Sequence, residues 1–274
     1  MKEISENEKV AEINFWIDFA TKTIEKRKTM IKNGKSNQTF FTTMAGSYLD
    51  RGRAKFLRGD PIDNIRKDFR KSAECIEMSF IMAYDDRSPH YLGDKADLAE
   101  VSMTYAIDGF NACMMAGDFL LGRHLARLAK VPPHRVEEFT NPKKQEILVT
   151  NYMYALRHIL LGEDDKSLEY ARATEKWFSS RGIPQKNAYH KNFFHRARMV
   201  RAILENNPAL FDESMTSQLK THAHNARFGD IADTDEAYVY DDGVALCNLA
   251  IHKGLNFSVE ADTIPKGLLI ARKT

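Results

Sequence analysis

The stretch from Ala45 to Ala83 constrains the fold most, because a helical pattern halts at Leu57-Arg58-Gly59-Asp60-Pro61 and a second begins at once. After Pro61, apolar residues at Ile62, Ile65, Phe69, Ala73, Ile76, Phe80 and Ala83 recur every three or four positions and share one stripe of a helix. Gly59 ends the first helix. Asp60 has the carboxylate an N-cap requires, and Pro61 suits the first helical position, where no N–H is needed. The expected unit is a helix hairpin with Asp60 as its cap. One helix cannot bury such a stripe alone, and a similar break returns at Leu161-Gly162-Glu163-Asp164, so the chain is expected to stack hairpins.

The remaining segments carry the same grammar. Val10, Ile13, Ile17, Ala20, Ile24 and Ile31 form a stripe that stops at Asn33-Gly34, and Phe41, Met44, Tyr48, Gly52 and Phe56 form another, with Gly46 and Gly52 allowing a neighbour close approach. Helical patterns follow over Asp97–Gly117 and Phe119–Leu128, then after Asn141-Pro142, Asp164, Pro184 and Pro208, and finally over Thr234–Lys253. Leu255–Thr274 is expected to pack as an extended arm. No useful strand alternation occurs, so the fold class is all-α: an irregular stack of helical hairpins, helical-repeat-like but without a strict period. We expect residues 1–274 to form a single helical domain, with a candidate subdomain joint at 131–141 marked by Val131-Pro132-Pro133 and Asn141-Pro142.

Composition excludes several function classes. Hydrophobic residues make up 43% of the 274 positions, ample for a core, and 40 basic against 38 acidic residues give no bulk attraction to nucleic acid. Cys75, Cys113 and Cys247 lie far apart within apolar patterns, as buried free thiols do. No apolar run approaches the roughly 18 residues of a membrane span, which suggests a soluble cytoplasmic protein. His190 and His195 are five apart on a helix, rotated by about 140 degrees, and His222 and His224 by about 200 degrees, so neither pair suits shared metal ligation. No phosphate-binding loop, nucleophile elbow, cysteine pair or calcium loop is present. We therefore expect no metal, no cofactor and no enzyme.

Two charge clusters remain. Arg51 to Lys71 holds eight basic residues against three acids, but keeps its aromatics on the apolar stripe, which makes nucleic-acid binding unattractive. Phe228 to Asp242 holds six acids, no base and two tyrosines. Acids there complement a helix N-terminus, yet six of them beside aromatics also suit a surface that captures a basic partner. Asp230, Asp233, Asp235, Glu236, Tyr238, Asp241 and Asp242 are accordingly the candidate partner-binding residues, and Tyr240 is assigned to the core.

The run Tyr48-Leu49-Asp50-Arg51-Gly52-Arg53-Ala54 through Leu57-Arg58-Gly59-Asp60-Pro61, the central Leu160-Leu161-Gly162-Glu163, and Ala245 to Gly254 followed by Ile264-Pro265-Lys266-Gly267-Leu268-Leu269 resemble the bacterial immunity 49 family. The resemblance runs from about residue 40 to 270 and leaves out the first helix. It implies a helical protein without catalysis that protects its producer by binding a cognate polymorphic toxin, one expected to be encoded by the adjacent gene. The alternative reading of the residues is a helical-repeat adaptor that binds a peptide or partner protein in a concave groove.

Overall fold

The computed structural model describes residues 6–130, 146–180 and 188–272. Among these are ten α-helices and no named strand: α1 (Glu6–Lys32), α2 (Gln38–Arg58), α3 (Ile62–Tyr84), α4 (Met103–Ala116), α5 (Phe119–Leu128), α6 (Glu146–Leu161), α7 (Asp164–Ser180), α8 (Ala188–Leu204), α9 (Pro208–Phe228) and α10 (Asp241–Lys253). The all-α expectation holds. The expected joint at 131–141 lies outside the described residues.

Helices α2 and α3 form the hairpin that the Leu57–Pro61 break requires. Gly59, at φ 84°, adopts the left-handed conformation that closes α2, and its N–H bonds the Phe56 carbonyl at 2.9 Å. Gly52 lets α3 come close: a Cβ there would lie 2.5 Å from Phe69 Cε1, and Phe69 is fully buried. Gly46 does not serve the same purpose, since nothing lies within 4 Å of its would-be Cβ. Asp60 is not the cap of α3. The helix starts after Pro61 without a side-chain cap, and the Asp60 carboxylate instead accepts two bonds from Arg58, at 2.7 and 2.8 Å. A guanidinium two residues away offers a bidentate, charge-assisted pair that a backbone N–H cannot match.

Elsewhere the breaks work as caps. Asn207 accepts from Leu210 N at 3.1 Å and Asp118 from Leu121 N at 3.0 Å. The segment expected as one helix over Asp97–Gly117 is divided. Asp97 caps a short 3₁₀ turn, Leu98–Val101, and Ser102 then caps α4. The last helix is shorter than expected for the same kind of reason: Thr234 precedes a separate 3₁₀ turn, Asp235–Ala237, and α10 begins only at Asp241.

Each helix packs on its neighbour in sequence, and α10 returns to lie against α4, α8 and α9. Gly243 to Ile251 are all buried, as a helix apolar on every side must be, and Gly109 to Met115 of α4 are too. Most of their apolar residues belong to one core running from Ile24 to Leu268, while Ala112 and Cys113 of α4 form a small second cluster with Ala73 and Leu121. Asn248, fully buried, donates to the carbonyls of Met114 and Leu268 and accepts from Ile270 N, so α10 pins the C-terminal arm to the core. Over residues 255–272 the arm is extended, as Pro265 suggested, apart from a tight turn closed by an Ala261–Ile264 bridge and one 3₁₀ turn.

Candidate functional site

The described residues enclose an acid-lined cavity of about 370 Å³ between α2, α4, α8, α9 and the start of α10. Two of its lining residues, Gly46 and Glu236, are exposed. Five carboxylates line it, Asp50, Asp108, Glu236, Asp241 and Asp242, against two guanidiniums, Arg53 and Arg196.

Helix α2 delivers Arg53 into the interior, where its side chain is 3% exposed. Nε donates to Asp235 Oδ2 at 2.6 Å, Nη1 to Asp241 Oδ2 at 2.5 Å, and Nη2 to Asp50 Oδ1 at 2.7 Å. Glu236 is a more distant partner at 3.4 Å. Helix α8 contributes Arg196, which pairs with Asp242 Oδ2 at 2.6 Å and lies over the Phe193 ring. Asp242 also accepts from Asn111 Nδ2 at 2.9 Å. Desolvation of such charges is costly and is offset only where each is paired and hydrogen-bonded.

That condition is incompletely met. No hydrogen bond or ion pair reaches the Asp108 carboxylate among the described residues. Burial first, and the charges of Asp242 and Asp241 next, push its carboxyl up to about 7. Asp241 is also raised to about 7, chiefly by burial and despite Arg53, and its Oδ1 has no partner. Asn111 and His222, 6% and 8% exposed, each leave one acceptor unsatisfied, Oδ1 and Nδ1. The His222 assignment follows from its other nitrogen: Nε2 lies 2.9 Å from the Glu236 carbonyl, which can only accept, so Nε2 carries the proton. Burial lowers the pKa of His222, so the ring is neutral and Nδ1 is a bare lone pair.

The candidate partner-binding residues divide into two groups. Asp235, 6% exposed, Asp241 and Asp242 turn inward to Arg53 and Arg196, whereas Asp230, Asp233 and Glu236 are exposed. Tyr238 is 41% exposed and its ring lies 6.3 Å from that of Trp16 on α1. Tyr240 is core, as its stripe position required, and its hydroxyl donates to Gln218 Oε1 at 2.7 Å. The basic run on α2 and α3 is not an open cationic face. Six of its eight residues pair with carboxylates: Arg51 and Lys55 with Asp68, Arg53 as above, Arg58 with Asp60, and Arg70 and Lys71 with Glu74.

Sequence reasoning missed Asp50, Asp108, Asn111 and Arg196, and set His222 aside as a metal ligand. One signal was available. Asp108 and Asn111 interrupt the most apolar helix three positions apart, which places both on one face. Among the described residues no group of three or more His, Cys, Asp or Glu side chains is placed to hold a metal ion.

Residues 65–268 match the family described as immunity protein 49, a span that runs from α3 to the C-terminal arm. The chain belongs to the immunity protein 49 family. The matched span includes every cavity-lining residue except the four from α2, Gly46, Leu49, Asp50 and Arg53. Comparison with curated proteins and with solved structures finds no match in either. Among the described residues no helix is long and apolar enough to cross a membrane.

Proposed function

We propose that this chain neutralises a cognate toxin by binding it, and that the toxin docks on the face around the mouth of the acid-lined cavity. Membership of the immunity protein 49 family over residues 65–268 carries the reading. The charge of the face supports binding: five carboxylates against two guanidiniums line the cavity, which suits an oppositely charged partner surface. Asp230, Asp233, Glu236 and Tyr238 supply the outer contacts, while Asp235, Asp241 and Asp242 hold the face in shape through Arg53 and Arg196. The protein works in the producing cell's cytoplasm, where three buried free thiols stay reduced.

The test is co-expression with the toxin encoded by the adjacent gene, together with calorimetric titration of the purified pair. A complex and rescue of growth are expected. Asp233→Lys with Glu236→Lys, both at exposed positions, should fold normally, slow association and reduce the salt dependence of binding. Absence of both complex and rescue would overturn the reading.

A further inference from the structure

Helix α1 has two apolar faces, one packed and one open. Ile17, Ala20 and Ile24 are buried on the side that packs against α2. On the opposite side Phe15 and Phe19 are 64% and 63% exposed, and their rings stack at a centroid distance of 6.1 Å. Apolar residues scattered singly over a surface are ordinary, but a stacked pair one helical turn apart makes a contiguous patch.

The charges along that face are sorted by sign. At about 100 degrees per residue, Glu8 and Glu12 before the pair and Lys22 and Lys26 after it all fall within about 40 degrees of its centre. Glu8, Lys22 and Lys26 are exposed and Glu12 is half-buried. Asp18 and Glu25, the other acids nearby, lie about 80 and 100 degrees off to one flank, and Glu25 is engaged by Lys28 at 2.9 Å. One half of the face is thus negative and the other positive, with two phenylalanines between them.

We propose that this face pairs with the same face of a second copy of the chain, α1 against α1 in antiparallel. A two-fold axis level with Ile17, midway between the rings, sets Phe15 against the partner's Phe19 and lays the acidic half of each helix along the basic half of the other. Parallel pairing would juxtapose like charges, so the order of signs fixes the direction. A second copy is also the occupant that matches without further conditions: any other protein would need its own charges sorted in the complementary order, which symmetry supplies here. Helix α1, with 27 residues, is about 40 Å long. A contact along one such helix lies at the small end of interface sizes, so a dissociation constant in the micromolar range is expected.

Sedimentation of the full chain from about 1 to about 500 μM spans that range. The wild type should pass from monomer to dimer, and Phe15→Ser with Phe19→Ser should stay monomeric with the wild-type urea midpoint, since both positions are exposed. Charge reversal tests the orientation. Glu8→Lys with Glu12→Lys makes the whole face positive, and Lys22→Glu with Lys26→Glu makes it negative. Each alone should associate at least about tenfold more weakly, and an equimolar mixture of the two should regain wild-type association. A wild type that stays monomeric, a phenylalanine variant that still dimerises, or a mixture no better than its components would overturn the proposal. A monomeric wild type whose phenylalanine variant loses toxin affinity would assign the face to the toxin instead.

Discussion

Replacing Asp108 with asparagine should stabilise the free protein, and by an amount that depends on pH in a calculable way. The Asp108 carboxyl is displaced from 3.8 to about 7, first by burial and then by Asp242 and Asp241. Its folded value therefore lies above its unfolded one. The folded protein keeps a proton that the unfolded chain releases, so the acid costs nothing well below pH 4, and its cost grows until the folded carboxyl also ionises near pH 7. Taking about 1.4 kcal/mol per tenfold change in the proton equilibrium, a displacement from 3.8 to about 7 gives a ceiling of about 4 kcal/mol at about pH 8. The same arithmetic gives about 2 kcal/mol at about pH 5. Asparagine has its own cost, about 1–3 kcal/mol for an amide left without partners, but that term is the same at both pH values. The difference between them, about 2 kcal/mol, is thus the quantity to measure. Urea denaturation of wild type and Asp108→Asn at the two pH values supplies it. The variant should gain clearly at the higher pH and little at the lower. A pH-independent difference, or a variant less stable at pH 8, would refute the claim that Asp108 is an uncompensated acid.

Arg53→Met should be strongly destabilising, by about 3–5 kcal/mol, because it leaves Asp235 and Asp241 facing one another without their shared cation; a urea midpoint within error of wild type would show that the network is slack. Asp60→Ala removes an ion pair to a 41%-exposed Arg58 rather than a helix cap, so it should cost no more than about 1 kcal/mol and leave toxin binding unchanged. Loss of binding at unchanged stability would mark Asp60 as a contact.

The helices were legible because their breaks are local. Gly59, Asn207, Asp118 and Gly254 each act through bonds within a few residues, and the stripe that placed Tyr240 in the core is equally local. Asp60 shows where local reading fails: cap and ion pair compete for one carboxylate, and Arg58, two residues back, has the stronger donor. The acidic segment fails for a longer-range reason. Six acids from 230 to 242 were visible, but their direction depends on Arg53, some 180 residues earlier in sequence, and on Arg196. Arg53 itself was hidden among eight basic residues that read as one surface run, although the Gly52–Phe69 contact beside it is what lets α2 and α3 close at that level.

Asp108 stands apart from the other acids of the cavity. Every other acid at the cavity floor is matched to a guanidinium, so its inward position is explained by folding alone. Asp108 has no such pairing among the described residues, and Arg196 acts on it only through space. Asparagine at 108 should therefore stabilise the free chain most where the buried acid would ionise, above about pH 7. Arg53→Met should lower stability and partner affinity together, because its loss disorders the face itself.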